Sequence, residues 1–318
     1  MIALFLGAGF SSLGGVPLAA RLFDEKPDVD RVTRKNLVER VVRYWIRWRD
    51  ECDGTPEQYL AYLQLRGGRE WLDAVWYVSL VVALRMGRIE KIGGTATITR
   101  HNIARTSGVP VHETLWSSVF RKTESVVVLT TNYDILAERG LRNTPRPRVP
   151  RPGFNYGDGS EHLRGGGYPS YAHIQEISVT GTVPLLKLHG SVSWSVHDGV
   201  LAKYHDCRPA IRGDAAIVAP VVDKGVPTYL RSIWDRAKTL LSKANTWIFI
   251  GYSLPEYDHQ VSELLKSSSR HSPKVHVFDR SSTVPQRYRG LLGIPVMPHL
   301  GIPEALHELE EAVSAAGN

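Results

Sequence analysis

The chain has 318 residues, 42% of them hydrophobic and 22% charged, which is enough apolar material for a large core and excludes a disordered composition. Its formal net charge is +7, from 39 Lys and Arg against 32 Asp and Glu, a balance that favours anionic ligands without naming one. The two cysteines, Cys52 and Cys207, make neither a disulfide framework nor a four-thiolate zinc site, and Met1 leads without a basic leader into a short apolar run, so a cytoplasmic protein with no membrane anchor is expected.

Ile2 to Leu6 predicts a buried strand, followed by a Gly7-Ala8-Gly9-Phe10-Ser11-Ser12 turn and a helix from Pro17 to Phe23. Residues 31–122 read as mostly helical, in segments 31–50, 56–66, 70–87 and 112–122 with a Gly/Thr-rich break at 93–99. They predict a helical lobe inserted into one domain whose core is formed by about 1–30 and 123–318. In the stretch 31–49, helical spacing puts Val38, Val41, Val42, Trp45 and Ile46 on one side and Arg40, Arg43, Arg47 and Arg49 on the other. That is the pattern of a solvated helix face, and direct nucleic-acid binding is not expected.

Val126 to Leu129 predicts a second strand ending in Thr130-Thr131-Asn132-Tyr133-Asp134, then a helix from Ile135 to Leu141. The stretch 142–171, rich in Pro, Gly and Arg, reads as a long loop of the kind that is more often functional than idle. Leu185 to Leu188 predicts a third strand running into His189-Gly190-Ser191, with a hairpin of Val192–Val196 and Val200–Tyr204 over His197-Asp198-Gly199. A helix over 229–244 follows, then a strand from Trp247 to Ile250 ending in Gly251-Tyr252-Ser253-Leu254-Pro255, and a helix over 257–268. A strand from Val275 to Phe278 ends in Asp279, and a last helix covers 303–315. Strands alternating with helices in this way imply an α/β fold, a Rossmann-like parallel sheet wrapped by helices on both faces. Such sheets bind ligands beyond the carboxyl ends of their strands, where each polar or glycine cluster falls.

The chemistry of each cluster leaves two readings. A glycine turn between strand and helix suits a phosphate or is simply a tight turn; Ser12 stands where the dinucleotide fingerprint has its third glycine. Asn132 and Asp134 can grip ribose hydroxyls or a carboxamide, or cap the next helix. His189 is a general base or a satisfied turn residue, and Asp279 accepts from ribose hydroxyls or caps a turn. Pro255 stands where a nucleophile elbow needs glycine, which sets serine-hydrolase chemistry aside. His197, His205 and Cys207 match no metal-ligand spacing, so no metal is expected.

Taken in order, Gly7-Ala8-Gly9-Phe10-Ser11-Ser12 with Gly15-Val16-Pro17, Thr131-Asn132-Tyr133-Asp134, Lys187-Leu188-His189-Gly190-Ser191, and Gly251-Tyr252-Ser253-Leu254-Pro255 with Asp258 resemble the sirtuin superfamily, and within it the prokaryotic branch found in anti-phage defence systems. The resemblance implies NAD as substrate: Gly7, Ala8, Gly9, Phe10, Ser11 and Ser12 around the pyrophosphate, Asn132 and Asp134 at the nicotinamide ribose and carboxamide, His189 as base, and Gly251, Ser253 and Asp279 at the adenosine half. It implies catalysis by Asn132 and His189, with hydrolysis of NAD to ADP-ribose and nicotinamide. The four-cysteine zinc module of protein-deacylating sirtuins has no counterpart here; deacylation, ADP-ribosyl transfer and a non-catalytic NAD or ADP-ribose sensor are the alternatives. Because an unrestrained NAD hydrolase depletes its own host, control is expected through a homo-oligomer or a regulatory or sensor partner. The stretch 142–171 is the candidate lid and the helical lobe the candidate contact surface.

Overall fold

The computed structural model describes residues 1–24, 27, 35–86, 88–92, 95–99, 108–144, 154–156, 162–164, 176–178, 183–204, 206–221 and 225–317. Of these, 88–92, 95–99, 108–110, 142–143, 162–164, 176–178 and 317 are described by their backbone alone. The central sheet has seven strands, in spatial order Val296–His299, Lys274–Phe278, Thr246–Ile250, Ile2–Leu6, Val126–Thr130, Val183–Lys187 and Phe154–Asn155. Every neighbouring pair is parallel. Ile2–Leu6, Val126–Thr130 and Thr246–Ile250 are buried at every position, which is why they read as unbroken apolar runs instead of alternating ones. The expected Rossmann-like α/β sheet is the one found.

From the central strand Ile2–Leu6 the chain goes first to Val126–Thr130 on one side, and reaches Thr246–Ile250 on the other only after that half is complete. The order therefore reverses between Ile2–Leu6 and Thr246–Ile250, the switch point where open α/β sheets form their crevice. The loops leaving these two strands touch backbone to backbone. Gly7 N–H donates to Ile250 O at 3.0 Å and Gly9 N–H to Gly251 O at 2.9 Å. A Cβ on Gly7 would lie 2.4 Å from Gly251 O, and one on Gly251, at φ +61°, would lie 2.3 Å from Phe10 N. Only glycine fits at both positions, for want of space and, at Gly251, for its left-handed backbone.

Beside the sheet, helices Lys35–Cys52, Pro56–Arg66 and Gly68–Arg85 build a second apolar cluster. Thr55 and Gln58 form a capping box that starts the middle helix, with Pro56 in its first turn. Phe23 joins this cluster, stacked on Tyr77 at 5.4 Å and on Trp45 at 5.1 Å. Along the first of these helices Leu37, Val38, Val41 and Trp45 are buried, while Ile46 is exposed. Three of its arginines meet carboxylates: Arg40 with Asp73 at 2.6 Å, Arg47 with Glu51 at 2.9 Å and Arg49 with Asp50 at 3.3 Å.

The structure departs from the sequence expectations in several places. The expected helix from Pro17 to Phe23 is only a 3₁₀ turn at Ala19–Arg21, preceded by a short helix at Ala8–Ser11 and a 3₁₀ turn at Ser12–Gly14. Gly15, at φ +79°, ends the first helical run before Pro17 can extend it. Between the expected helices 70–87 and 112–122, Arg88–Ile92 and Thr95–Thr99 pair as antiparallel strands that were not expected there. Helix Gly108–Lys122, expected with the lobe, instead places Leu115, Trp116, Val119 and Phe120 in the sheet's own core. The expected hairpin forms with a shorter turn, Asp198-Gly199, both at positive φ, because His197 pairs with Val200 in the ladder, and Ala215–Ile217 adds a third strand to it. Most of 142–171 lies outside the described residues; within it Phe154–Asn155 and the backbone strand His162–Arg164 are extended.

The glycine contact carries a direct prediction. Gly251→Ala should lower unfolding free energy by more than about 2 kcal/mol, from steric overlap added to left-handed strain. Gly225→Ala, with nothing within 4 Å of its added methyl, should stay within about 0.5 kcal/mol of the parent. Urea denaturation of both variants measures the difference.

Candidate active site

A cavity of about 470 Å³ opens at the switch point. Ala8, Gly9, Phe10, Ser11, Ser12, Asn132, Asp134, His189, Gly251, Ser253 and Asp279 all line it. These residues come from the ends of five strands and were singled out in the sequence. Gly7 does not line it; it sits beneath, holding the floor together. The Gly7, Gly9 and Phe10 N–H groups are all given to backbone carbonyls, so they are not the turn's donors to a ligand. Ser12 Oγ donates to Gly9 O at 2.8 Å, closing the turn on itself.

Asn132 spans the gap between two strand ends. Its Nδ2 donates to Gly7 O at 2.9 Å and to Ser11 Oγ at 2.8 Å. Since a carbonyl only accepts, the first bond fixes which way the amide points. Both amide hydrogens are used, and the side-chain group left to act on a ligand is Oδ1. Thr130 Oγ1 reinforces the junction, donating to Leu6 O at 2.9 Å while accepting from Asn132 N–H at 3.0 Å.

Asp134 fulfils its helix-starting role through one oxygen: Oδ1 accepts from Leu136 N–H at 2.9 Å. Its other oxygen, Oδ2, is buried without a hydrogen-bond partner, a costly arrangement for a carboxylate unless a ligand supplies a donor. Beneath it, fully buried Lys187 donates to the Asp134 carbonyl and pairs with Glu138 Oε1 at 3.0 Å. Behind the turn, His112 packs against the Phe10 ring at 4.4 Å. Burial pushes its pKa down to about 4, with Asp134 opposing the shift and Lys187 adding to it.

His189, on the loop after Val183–Lys187, is buried, and its Nε2 lies 3.3 Å from Asp258 Oδ1. Asp258 Oδ2 accepts from Tyr252 O–H at 2.7 Å. At the far end Asp279 Oδ1 accepts from Ser281 N–H at 2.8 Å, an Asx turn that leaves Oδ2 to other partners. Sequence reasoning gave no role to Glu57, Tyr133, Tyr257, Asp258 or Arg280, all of which line the cavity. Only Tyr133 and Asp258 had a signal, as parts of the motifs after the Val126–Thr130 and Thr246–Ile250 strands.

The rejected metal set is scattered in function. His197 Nε2 is 2.9 Å from Ser195 Oγ and 3.7 Å from Asp214 Oδ2. Burial pushes the Cys207 thiol up to about 12, and His205 lies outside the described residues. Among the described residues no group of three metal-ligating side chains occurs, and no helix is long and apolar enough to cross a membrane.

The sheet order and this cavity define a Rossmann-like α/β protein with its ligand crevice at the switch point. The chain belongs to the SIR2-like domain family, whose model matches residues 126–289. That match takes in Asn132, Asp134, His189, Asp258 and Asp279; the Gly7–Ser12 turn falls before it and is brought to them by the fold. Similar solved structures include a Sir2 homologue in complex with 2'-O-acetyl ADP ribose, 15% identical with a TM-score of 0.49, covering 100% of this chain and 93% of that one. A Sir2 homolog–NAD complex is 14% identical with a TM-score of 0.47, covering 100% of this chain and 90% of that one. Among curated proteins none matches the chain.

Buried His112 makes stability depend on pH. Its folded pKa, about 4, lies below the ordinary 6.5, so between those values the unfolded chain binds a proton that the folded chain does not. The stability is full above about 6.5 and is lost as pH falls toward 4. His276, also pushed down to about 4, acts over the same window. His112→Phe should therefore show a shallower fall of Tm from pH 6.5 to 4 than the parent, while retaining the His276 part. Parallel slopes in a thermal-melt series would assign the acid sensitivity elsewhere.

Proposed function

We propose that this protein hydrolyses NAD to ADP-ribose and nicotinamide. The observation that carries the reading is the meeting, in one cavity, of Asn132, His189 and the orphaned Oδ2 of Asp134. Family membership supports it, and so does the chemistry. Breaking the bond between nicotinamide and ribose builds oxocarbenium-like positive charge on the sugar, while nicotinamide leaves neutral and needs no strong acid. The titratable lining is rich in carboxylates, with Glu57, Asp134, Asp258 and Asp279 against Arg280, a composition suited to developing positive charge.

In this reading Asp134 Oδ2 accepts from the carboxamide N–H, which places the leaving group. Asn132 Oδ1 accepts from the attacking water or from a ribose hydroxyl. The water oxygen bonds to the sugar carbon as the bond to nicotinamide breaks, and the water's proton passes to His189 directly or through the ribose. Ala8 to Ser12 face the pyrophosphate, and Gly251, Ser253 and Asp279 the adenosine half. Two cysteines in the whole chain cannot form the four-cysteine module of a protein deacylase. Turnover of this kind depletes NAD, which suits an effector of anti-phage defence restrained by assembly or by a partner chain.

Nicotinamide release tests the proposal. The parent should release it equally with and without an acylated peptide, and Asn132→Ala and His189→Ala should each reduce the rate by at least about 100-fold with an unchanged melting curve. Release that requires the peptide would make the protein an acyl or ADP-ribosyl transfer enzyme, and tight NAD binding without any release would make it a sensor.

A further inference from the structure

We propose that Asp258 is the positioning residue of His189, its buried carboxylate facing Nε2 and favouring the tautomer in which Nδ1 carries the lone pair that receives the proton. The inference deepens the hydrolase reading and rests on it. Asp258 Oδ1 stands 3.3 Å from His189 Nε2, within ion-pair distance though not aligned as a hydrogen bond, and the charge of a carboxylate, which can only accept, favours a hydrogen on the ring nitrogen that faces it. The tautomer is thereby biased by a residue that arrives from the opposite side of the crevice. His189 follows the Val183–Lys187 strand, whereas Asp258 lies eight residues beyond Ile250, the end of the Thr246–Ile250 strand, with the central strand and Val126–Thr130 between those two strands.

Asp258 is itself held on several sides. It is 1% exposed; its Oδ2 accepts from Tyr252 O–H, its N–H donates to Pro255 O at 2.9 Å, and its carbonyl accepts from Ser262 N–H at 3.1 Å. Tyr252 is fixed in turn, since its carbonyl accepts from Tyr288 O–H at 2.9 Å. The carboxylate thus cannot swing away from the imidazole without breaking a buried network, which is what a positioning role demands.

The titratable surroundings point the same way. Burial with the nearby Asp258 charge holds the Tyr252, Tyr257 and Tyr133 hydroxyls protonated, and Glu57, from the helix Pro56–Arg66, acts on Tyr257 and Tyr133 as well. Asp134 lines the cavity from the Val126–Thr130 strand end. The cavity that His189 lines thus carries the carboxylates of Glu57, Asp134, Asp258 and Asp279 and neutral hydroxyls, with Arg280 as a cation, a balance that stabilises the imidazolium formed when the proton is taken. No covalent change at Asp258 is involved: it stays ionised while His189 gains the proton and later returns it to solvent.

The test is the pH profile of nicotinamide release by the parent and by Asp258→Asn. An amide at 258 keeps the shape and removes the charge, so the acid limb of kcat/KM should move to lower pH by about one unit or more. At pH 7.5, kcat should fall about tenfold or more while KM for NAD changes less than about twofold. An acid limb at the parent's position overturns the proposal, provided that His189→Ala has abolished release in the same assay. If the parent releases no nicotinamide, the hydrolase reading falls, and the contact is judged by ¹⁵N-histidine spectra of the parent, with His189→Gln identifying the signal. These spectra also decide the matter if Asp258→Asn does not fold. A neutral His189 protonated at Nε2 supports the proposal, and one protonated at Nδ1 overturns it.

Discussion

The site depends on one close approach: the Gly7–Phe10 turn and the Gly251 loop pass each other at a distance that admits no side chain between them. Because parallel strands splay into a crevice where their order reverses, the two loops would ordinarily diverge here. Two backbone hydrogen bonds between them hold the floor of the cavity shut instead. The glycines thus make room for backbone, and the side chains that the turn presents to the cavity are those of Ala8, Phe10, Ser11 and Ser12. Asn132 is then placed by what it finds on that turn, namely the Gly7 carbonyl and the Ser11 hydroxyl. A shift of the glycine contact would move the asparagine with it.

Under the opposite wall the same logic is carried by charge. Lys187 and Glu138 are both buried, and such a pair contributes little net stability compared with apolar residues of like shape, while breaking it is costly. Its value here is geometric. Lys187 also holds the Asp134 carbonyl, so the turn that aims Asp134 into the cavity is anchored from below, and Tyr156 O–H reaches the same Glu138 oxygen at 3.4 Å. The cavity is therefore bordered by two rigid supports, one of backbone and one of paired charge.

How much of this could be read from sequence follows from what each feature needs. Buried parallel strands are continuous apolar runs, so Ile2–Leu6, Val126–Leu129, Trp247–Ile250 and Val275–Phe278 were plain, as were the polar clusters at their ends. The edge strands were not: Phe154–Asn155 has two residues, and Val296–His299 contains Pro298, a residue that argues against a strand in sequence and is accommodated at an edge. Helix Val284–Leu292 escaped because Pro285 opens it and only Val284, Pro285 and Tyr288 are buried. At the site, positions along strands were legible but contacts across them were not. Nothing in the spacing of Asn132 and Ser11, 121 residues apart, announces their hydrogen bond. Glu57 was invisible for a similar reason, since its place depends on how the helices outside the sheet lie against it.

The central position of Ile2–Leu6 also sets a schedule for synthesis. This strand is made first, yet one of its partners, Val126–Thr130, begins 124 residues after it and the other, Thr246–Ile250, 244 residues after it. At roughly 5–20 residues per second, a fully apolar strand emerges from the ribosome and waits on the order of 10 to 50 s before its second neighbour exists. A strand buried at every position in the finished sheet is thus the one that waits longest for its neighbours in the nascent chain. Its shortness, five residues closed off at once by Gly7, limits the sticky edge that the growing chain must shield until the fold can close around it.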